Sequence, residues 1–390
     1  MTRADDLQAM PDVERAEAIS VSAARPRDLG IPFDGTPGPL NAITDVSGVE
    51  VGFTTLIHGD GPLRVGEGPV RTGVTAVLPR GRSGVGRACA AGWHVLNGNG
   101  EMTGTAWIEE SGGLSMPMLI TNTHSVGPCH AGAVRWIVEH HPAVARQWLL
   151  PVVAETWDGY LNDINGGHVT AAHAVAALDA ARSGPVAEGG VGGGTGMTCY
   201  AFKGGSGTSS RRVAFGDDVY TVAVFVQANF GSRRELTIAG RRIGRTLEVE
   251  NPQEDTDWLA PPGAGSVIGV VATDAPLLPG QCKALARRVP LGLARTGTAG
   301  SHFSGDIFLA FSTANDDALT SRLVRGAPEY ASLRFIPWGL TDPFYEAVVQ
   351  ATEEAVVSAL VAGETTVGID GHRSPGLPNE RVTALFAGRG

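Results

Sequence analysis

Apolar residues fall along this chain in short runs rather than in long stripes. The runs at 49–53, 73–78, 118–121, 152–155, 219–228, 267–272 and 307–311 are rich in β-branched side chains, and each predicts a strand. The run VYTVAVFVQA at 219–228 is apolar on both faces, which predicts a strand covered on both sides. Helical spacing appears between these runs. Residues 130–140 place Val134, Ile137 and Val138 on one face, and Thr170 precedes an Ala- and Val-rich run at 171–182. The last helix, 344–362, opens on Asp342 and Pro343 and stops at Gly363. Its apolar positions (Val348, Ala351, Ala355, Val356, Ala359, Leu360) are mostly small, so it can lie close against a sheet. Strands and helices mixed in this way predict an α/β layered fold in which helices cover packed sheets. Residues 1–30 read as a loosely held arm.

Composition narrows the class. The chain has 390 residues, a length that allows two or three domains or one large one. With 54 glycines it carries about double the usual share, yet 43% hydrophobic and 18% charged residues exclude a disordered chain. The glycines follow no triplet period, which excludes collagen. The net charge is −10, lysine occurs only at 203 and 283, and the arginines are scattered, so there is no basic face for nucleic acid. An acidic field suits a cationic substrate group such as a free amine. Cys89, Cys129, Cys199 and Cys282 form no C-x-x-C pair and read as buried, reduced thiols, the pattern of a cytoplasmic protein. No run approaches the length of a membrane span and the start lacks a signal-peptide core, so no membrane association is expected.

The usual catalytic motifs are missing from the sequence: no G-x-S-x-G, no Walker A, no G-x-G-x-x-G and no H-E-x-x-H. His124, Cys129 and His130 cluster locally but read as a helix start with an ordinary thiol, and neither metal nor cofactor is expected. The conspicuous break is Ala260-Pro261-Pro262-Gly263-Ala264-Gly265, directly before Ser266-Val267-Ile268. Its composition is that of an exposed linker. It also fits a self-cleavage site, because a glycine before a serine leaves the acyl group open to an N-to-O shift. Hydrolysis would then leave Ser266 as a new N-terminus whose amine can act as base for its own hydroxyl. Ser304-Gly305-Asp306 reads as a turn ahead of a strand, and 97–101 and the glycine-rich 184–208 read as turns packed near a site. Asn229, at the end of the long apolar strand, can cap it or present an amide N–H to an oxyanion. Glu155-Thr156-Trp157-Asp158 offers two carboxylates on which a substrate amine can dock.

Together these segments resemble the self-processing aminopeptidases of the L-aminopeptidase/D-esterase and β-peptidyl aminopeptidase family. The stretches that carry the resemblance include NGNGEMTGT (97–105), ITNTHSVG (120–127), VVAETWDGYLNDING (152–166), EGGVGGGTGMTCYAFKGGSGTSSR (188–211), VQANFG (226–231), ATDAPLLP (272–279) and SGDIFLAFSTAN (304–315). The resemblance implies an αββα sandwich similar to the N-terminal-nucleophile hydrolases with different strand connectivity. It places cleavage between Gly265 and Ser266, giving a piece of residues 31–265 behind the arm and a piece of residues 266–390 in one sandwich. Ser266 is then the nucleophile, Ser304 and Asp306 its second serine and acidic partner, and Asn229 the oxyanion amide. Glu155 becomes the anchor for the substrate's amino group, with Trp157 beside it where relatives carry Tyr. Phe303 stands where relatives tend to have Asn. The implied substrates are short peptides, amides or esters with a free amino terminus, and the implied assembly is a homotetramer. Two rivals share the fold: an oligoamide hydrolase of the nylon-oligomer type, or a transferase, whose nucleophile is Thr, and an inactive, uncleaved scaffold.

Overall fold

The computed structural model describes residues 24–255, 263–316, 318–321 and 329–387. Most of the predicted arm and Ala260–Pro262 of the break therefore lie outside the described residues. Two sheets organise the rest. The first joins β1 (Glu50–His58), β2 (Val70–Leu78), β5 (Met118–Asn122) and β6 (Val152–Thr156) in the order β1-β2-β5-β6. The second comprises β3 (Cys89–Gly98), β4 (Gly113–Leu114), β9 (Gly205–Phe215), β10 (Asp218–Gly231), β11 (Gly263–Thr273) and β12 (Ser304–Ser312), in the order β4-β3-β12-β11-β10-β9. Its neighbours are antiparallel except the central pair β11 and β12, which is parallel. A small hairpin, β7 (Thr198–Cys199) and β8 (Phe202–Lys203), precedes β9.

Three layers of core fix the stacking. Ile120, Ala154, Phe225, Ile268, Leu309 and Phe311 lie between the two sheets. Helices α2 (Val126–His140) and α3 (Ala171–Asp179) cover the outer face of the first sheet through Ala133, Trp136, Ala174 and Leu178. Helices α4 (Pro279–Ala286), α5 (Val289–Arg295) and α6 (Asp342–Val361) cover the second through Leu285, Leu293, Val348 and Ala355. The short α1 (Thr105–Ser111) links β3 to β4. The order helices–sheet–sheet–helices is the αββα sandwich. Among the described residues, no helix is long and apolar enough to cross a membrane.

The strand β10 is buried along most of its length, as its two-sided apolar pattern predicts. Helix α6 lies as close to the sheet as its small residues predict: a Cβ added to Gly207 of β9 would meet the Ala355 carbonyl oxygen at 2.0 Å. Strand β3 and helices α1, α4 and α5 were not among the predicted elements, and three segments differ from what was expected of them. The glycine-rich region predicted as turns runs into β9, whose GSGTSS start is a buried strand. Its hydroxyls disguise it: Thr208 Oγ1 donates to the Val224 carbonyl and Ser209 Oγ to the Ala351 carbonyl, so polar side chains are satisfied inside the core. Ser304-Gly305-Asp306 is not a turn but the first part of β12, paired with Gly265–Val267. Gly263–Gly265 is likewise strand rather than exposed loop, because it lies between β10 and β12.

One polar cluster ties early chain to late chain across this layer. Glu354 of α6 is fully buried and accepts from Arg27 Nε (2.7 Å) and Nη2 (2.8 Å), Arg211 Nη2 (2.6 Å) and Asn41 Nδ2 (2.7 Å). Burial pushes its carboxyl up, but the Arg27 hydrogen bonds and the Arg211 charge reverse that and hold it below the usual range.

Candidate active site

Along β11, Val267 and Val271 enter the helix-side core while Ile268, Val270 and Ala272 enter the core between the sheets. This alternation turns Ser266 inward, toward the end of β6. Asn229 stands directly across from it on β10. The Ser266 hydroxyl is buried and accepts from the Trp157 backbone N–H at 3.1 Å and from Asn229 Nδ2 at 3.3 Å. The Asn229 amide can sit only one way round. Its Nδ2 also donates to the Trp157 carbonyl at 2.7 Å, and its Oδ1 accepts from the Thr198 N–H at 2.8 Å. A flipped amide would set oxygen against oxygen and N–H against N–H, so Nδ2 faces the hydroxyl. Two N–H groups thus converge on Ser266 Oγ, the arrangement that can hold an oxyanion.

Gly265 has a packing reason to be glycine. The register of β10 against β11 slips between Asn229 and Gly231, and a Cβ on Gly265 would meet the Asn229 carbonyl oxygen at 1.9 Å.

Ser304 and Asp306 pair with Gly265 and Val267. Ser304 Oγ donates to Asp306 Oδ1 at 2.5 Å, and Asn97 Nδ2 donates to Oδ2 at 2.8 Å. Neither residue bonds to the Ser266 hydroxyl. Because Val267 faces the helix side, its partner Asp306 does too, and the carboxylate lies against the Val267 N–H, beside the Ser266 backbone rather than its side chain. Burial pushes the Asp306 carboxyl above its ordinary range.

The two carboxylates in the ETWD segment have different hydrogen-bond surroundings. Asp158 is enclosed, accepts from Asn162 Nδ2 at 3.1 Å, and is pushed by burial to about 7. Glu155 accepts from the Glu101 N–H at 2.9 Å and from the Thr123 hydroxyl, and among the described residues no Lys or Arg pairs with it. Burial raises its carboxyl. Gly100 links it to the Ser266 strand: a Cβ there would lie 3.1 Å from Glu155 Oε1 and 3.2 Å from Gly305 Cα, and Gly305 pairs with Ser266. Trp157 contributes mainly through its backbone. Its ring folds back over Gly159, where a Cβ would meet it at 2.5 Å, while its N–H and carbonyl contact Ser266 and Asn229. Both contacts come from the backbone, so they do not depend on the indole side chain. Phe303 is 56% exposed, and its carbonyl accepts from Asn99 Nδ2 at 3.3 Å.

Sequence reasoning missed Asn97, Thr123, Glu101 and Thr198 as partners of these groups. All four lie in stretches that carried the family resemblance, which was the available signal. Nothing local marks them, since their contacts are long-range and two are made by backbone N–H groups.

Comparison with known proteins shows the family. The model of peptidase family S58 matches residues 41–374. The β-peptidyl aminopeptidase BapA of Sphingosinicella microcystinivorans is 50% identical over 379 residues, covering 95% of this chain and 94% of that protein. Among solved structures, the L-aminopeptidase D-Ala-esterase/amidase of Ochrobactrum anthropi, described as a variant of the Ntn-hydrolase fold, superposes with a TM-score of 0.86 at 46% identity. It covers 93% of this chain and 98% of that one. A Burkholderia sp. β-aminopeptidase gives a TM-score of 0.84 at 45% identity, with 94% and 100% coverage. Likeness of this extent, over nearly the whole sandwich and its central strands, is membership: the chain belongs to peptidase family S58 and is an aminopeptidase, a hydrolase of peptide bonds.

Proposed function

We propose that this aminopeptidase cleaves itself between Gly265 and Ser266 and then removes N-terminal residues from short peptides, amides or esters through an acyl-enzyme on Ser266. The observation that carries the reading is the pair of N–H donors, from Trp157 and Asn229, on a serine hydroxyl that directly follows a glycine. In processing, Ser266 Oγ attacks the Gly265 carbonyl, the acyl group moves from nitrogen to oxygen, and water hydrolyses the ester. The freed α-amine then takes the Oγ proton as Oγ attacks a substrate carbonyl. Asn229 Nδ2 and the Trp157 N–H hold the oxyanion, and the leaving amine collects the proton. Water releases the acyl group. The Asp306 carboxylate, bonded by Ser304 and Asn97 beside the residue 266 backbone, orients the new amine.

Asn229→Ala removes one oxyanion donor, and kcat falls by about 10²–10³ with KM little changed. Stopped and steady-state assays on a p-nitroanilide check it; a loss carried by KM counts against the role.

Glu155 binds the substrate's ammonium, which supplies the cation that the buried carboxylate lacks. Matched N-terminally free and N-acetylated p-nitroanilides test this, since equal turnover of the two contradicts an amine anchor. Its pH dependence has a definite sign. Burial raises the Glu155 carboxyl, so the charged form is lost earlier as pH falls, and it adds a second acid limb to kcat/KM, above the ordinary carboxylate range and beside the limb set by the Ser266 amine. A pH–rate profile that loses this second limb in Glu155→Gln checks it.

A further inference from the structure

We propose that the hairpin β7–β8 is the device that aims the Asn229 amide at Ser266, with Lys203 and Arg233 as its positioning residues. The inference rests on the reading of Asn229 as an oxyanion donor. It also gives a role to the glycine-rich segment, which that reading leaves unused.

Two backbone groups orient the amide: the Trp157 carbonyl accepts from Nδ2, and the Thr198 N–H, the one that the hairpin supplies, donates to Oδ1. Thr198 opens a hairpin whose two turn residues, Tyr200 (φ 52°) and Ala201 (φ 57°), both occupy the left-handed region. Such a turn favours Asn-Gly, and two side-chain-bearing residues hold it only where the surroundings over-determine it. Arg233 does this from the chain just beyond β10. Its Nε donates to the Tyr200 carbonyl at 3.0 Å, its Nη2 to the Ala201 carbonyl, and its guanidinium lies 3.6 Å from the Phe202 ring centroid. Tyr200 is locked in turn by its hydroxyl, which pairs with Thr296 Oγ1 at 2.7 Å and accepts from the Thr298 N–H at 3.1 Å.

Lys203 secures the other strand. It is fully buried, and among the described residues no carboxylate pairs with it. Its ammonium donates to the Gly194 carbonyl at 3.1 Å and the Gly204 carbonyl at 2.8 Å, binding the glycine-rich turn to the hairpin. A buried, unpaired lysine is costly, and burial lowers its pKa to about 7. The two carbonyls it satisfies bracket the segment that carries the Thr198 N–H.

The test compares two inhibitors on cleaved enzyme. An α-amino aldehyde adds to Ser266 Oγ and places an oxyanion at Asn229; the matching amino alcohol binds through its amine alone. Lys203→Met and, as a second variant that keeps charge and bulk, Arg233→Lys are compared with the parent enzyme. Each variant weakens the aldehyde about tenfold and lowers kcat in step, while the amino alcohol and KM stay within about twofold. Equal weakening of both inhibitors, no weakening of either, or loss of the fold in both variants overturns the proposal. A parent enzyme that the aldehyde does not inhibit overturns instead the reading of Ser266 and Asn229 on which it rests.

Discussion

Ser266→Ala yields a single undivided chain on a denaturing gel and lowers turnover by on the order of a millionfold. That is the scale at which removing a serine nucleophile abolishes hydrolysis in enzymes of this chemistry. The two effects come from one atom. Ser266 Oγ is the group on which the Trp157 and Asn229 N–H donors converge, and the bond to be cut is the one that precedes it. Without Oγ there is no ester for water to open, and no α-amine is released. The fold itself should persist, because the strand pairings on either side of residue 266 use backbone alone. Two fragments from the variant would place the cleavage chemistry elsewhere. Turnover within tenfold of the parent would remove Ser266 from the mechanism.

Glu354→Ala destabilises the processed enzyme by about 3–5 kcal/mol, the cost of leaving a buried cation without its partner. Arg211 and Glu354 have side chains only 1% and 0% exposed, so water cannot replace the lost carboxylate. The position matters beyond its energy. Arg27, Asn41 and Arg211 precede the proposed cut and Glu354 follows it, so the cluster joins the two pieces that cleavage would create. Backbone ladders do the same, since β11 and β12 lie between β10 and β3. Denaturant unfolding of the processed variant measures the loss. A shift below about 1 kcal/mol would mean that the cluster is not what holds α6 to the sheet.

Much of the fold was legible because periodicity reports burial. The two-sided apolar run of β10 and the small-residue face of α6 both declared their neighbours. Strand β9 was hidden because both of its buried faces carry hydroxyls whose bonds go to carbonyls distant in sequence. The start of β12 was hidden for a related reason: Ser-Gly-Asp has the composition of a turn, and only its pairing with Gly265–Val267 makes it strand. Composition likewise took Gly263–Gly265 for loop. Gly265 is a glycine because β10 leaves no room for a side chain there, which no local pattern could reveal. The candidate site divides the same way. Ser266, Asn229 and Glu155 were legible through family resemblance, whereas the groups that orient them include backbone N–H donors at 101, 157 and 198, which carry no side-chain signature.

In the proposed mechanism catalysis runs through an N-terminal serine created by self-cleavage. Intact-mass analysis of the purified enzyme, before and after brief exposure to an amino-acid ester at a pH that slows deacylation, tests it most directly. The account predicts a piece beginning at Ser266, with the acyl mass added to that piece alone and to its first residue. An active enzyme present only as the undivided 390-residue chain, or an acyl group carried by any other residue, would contradict it.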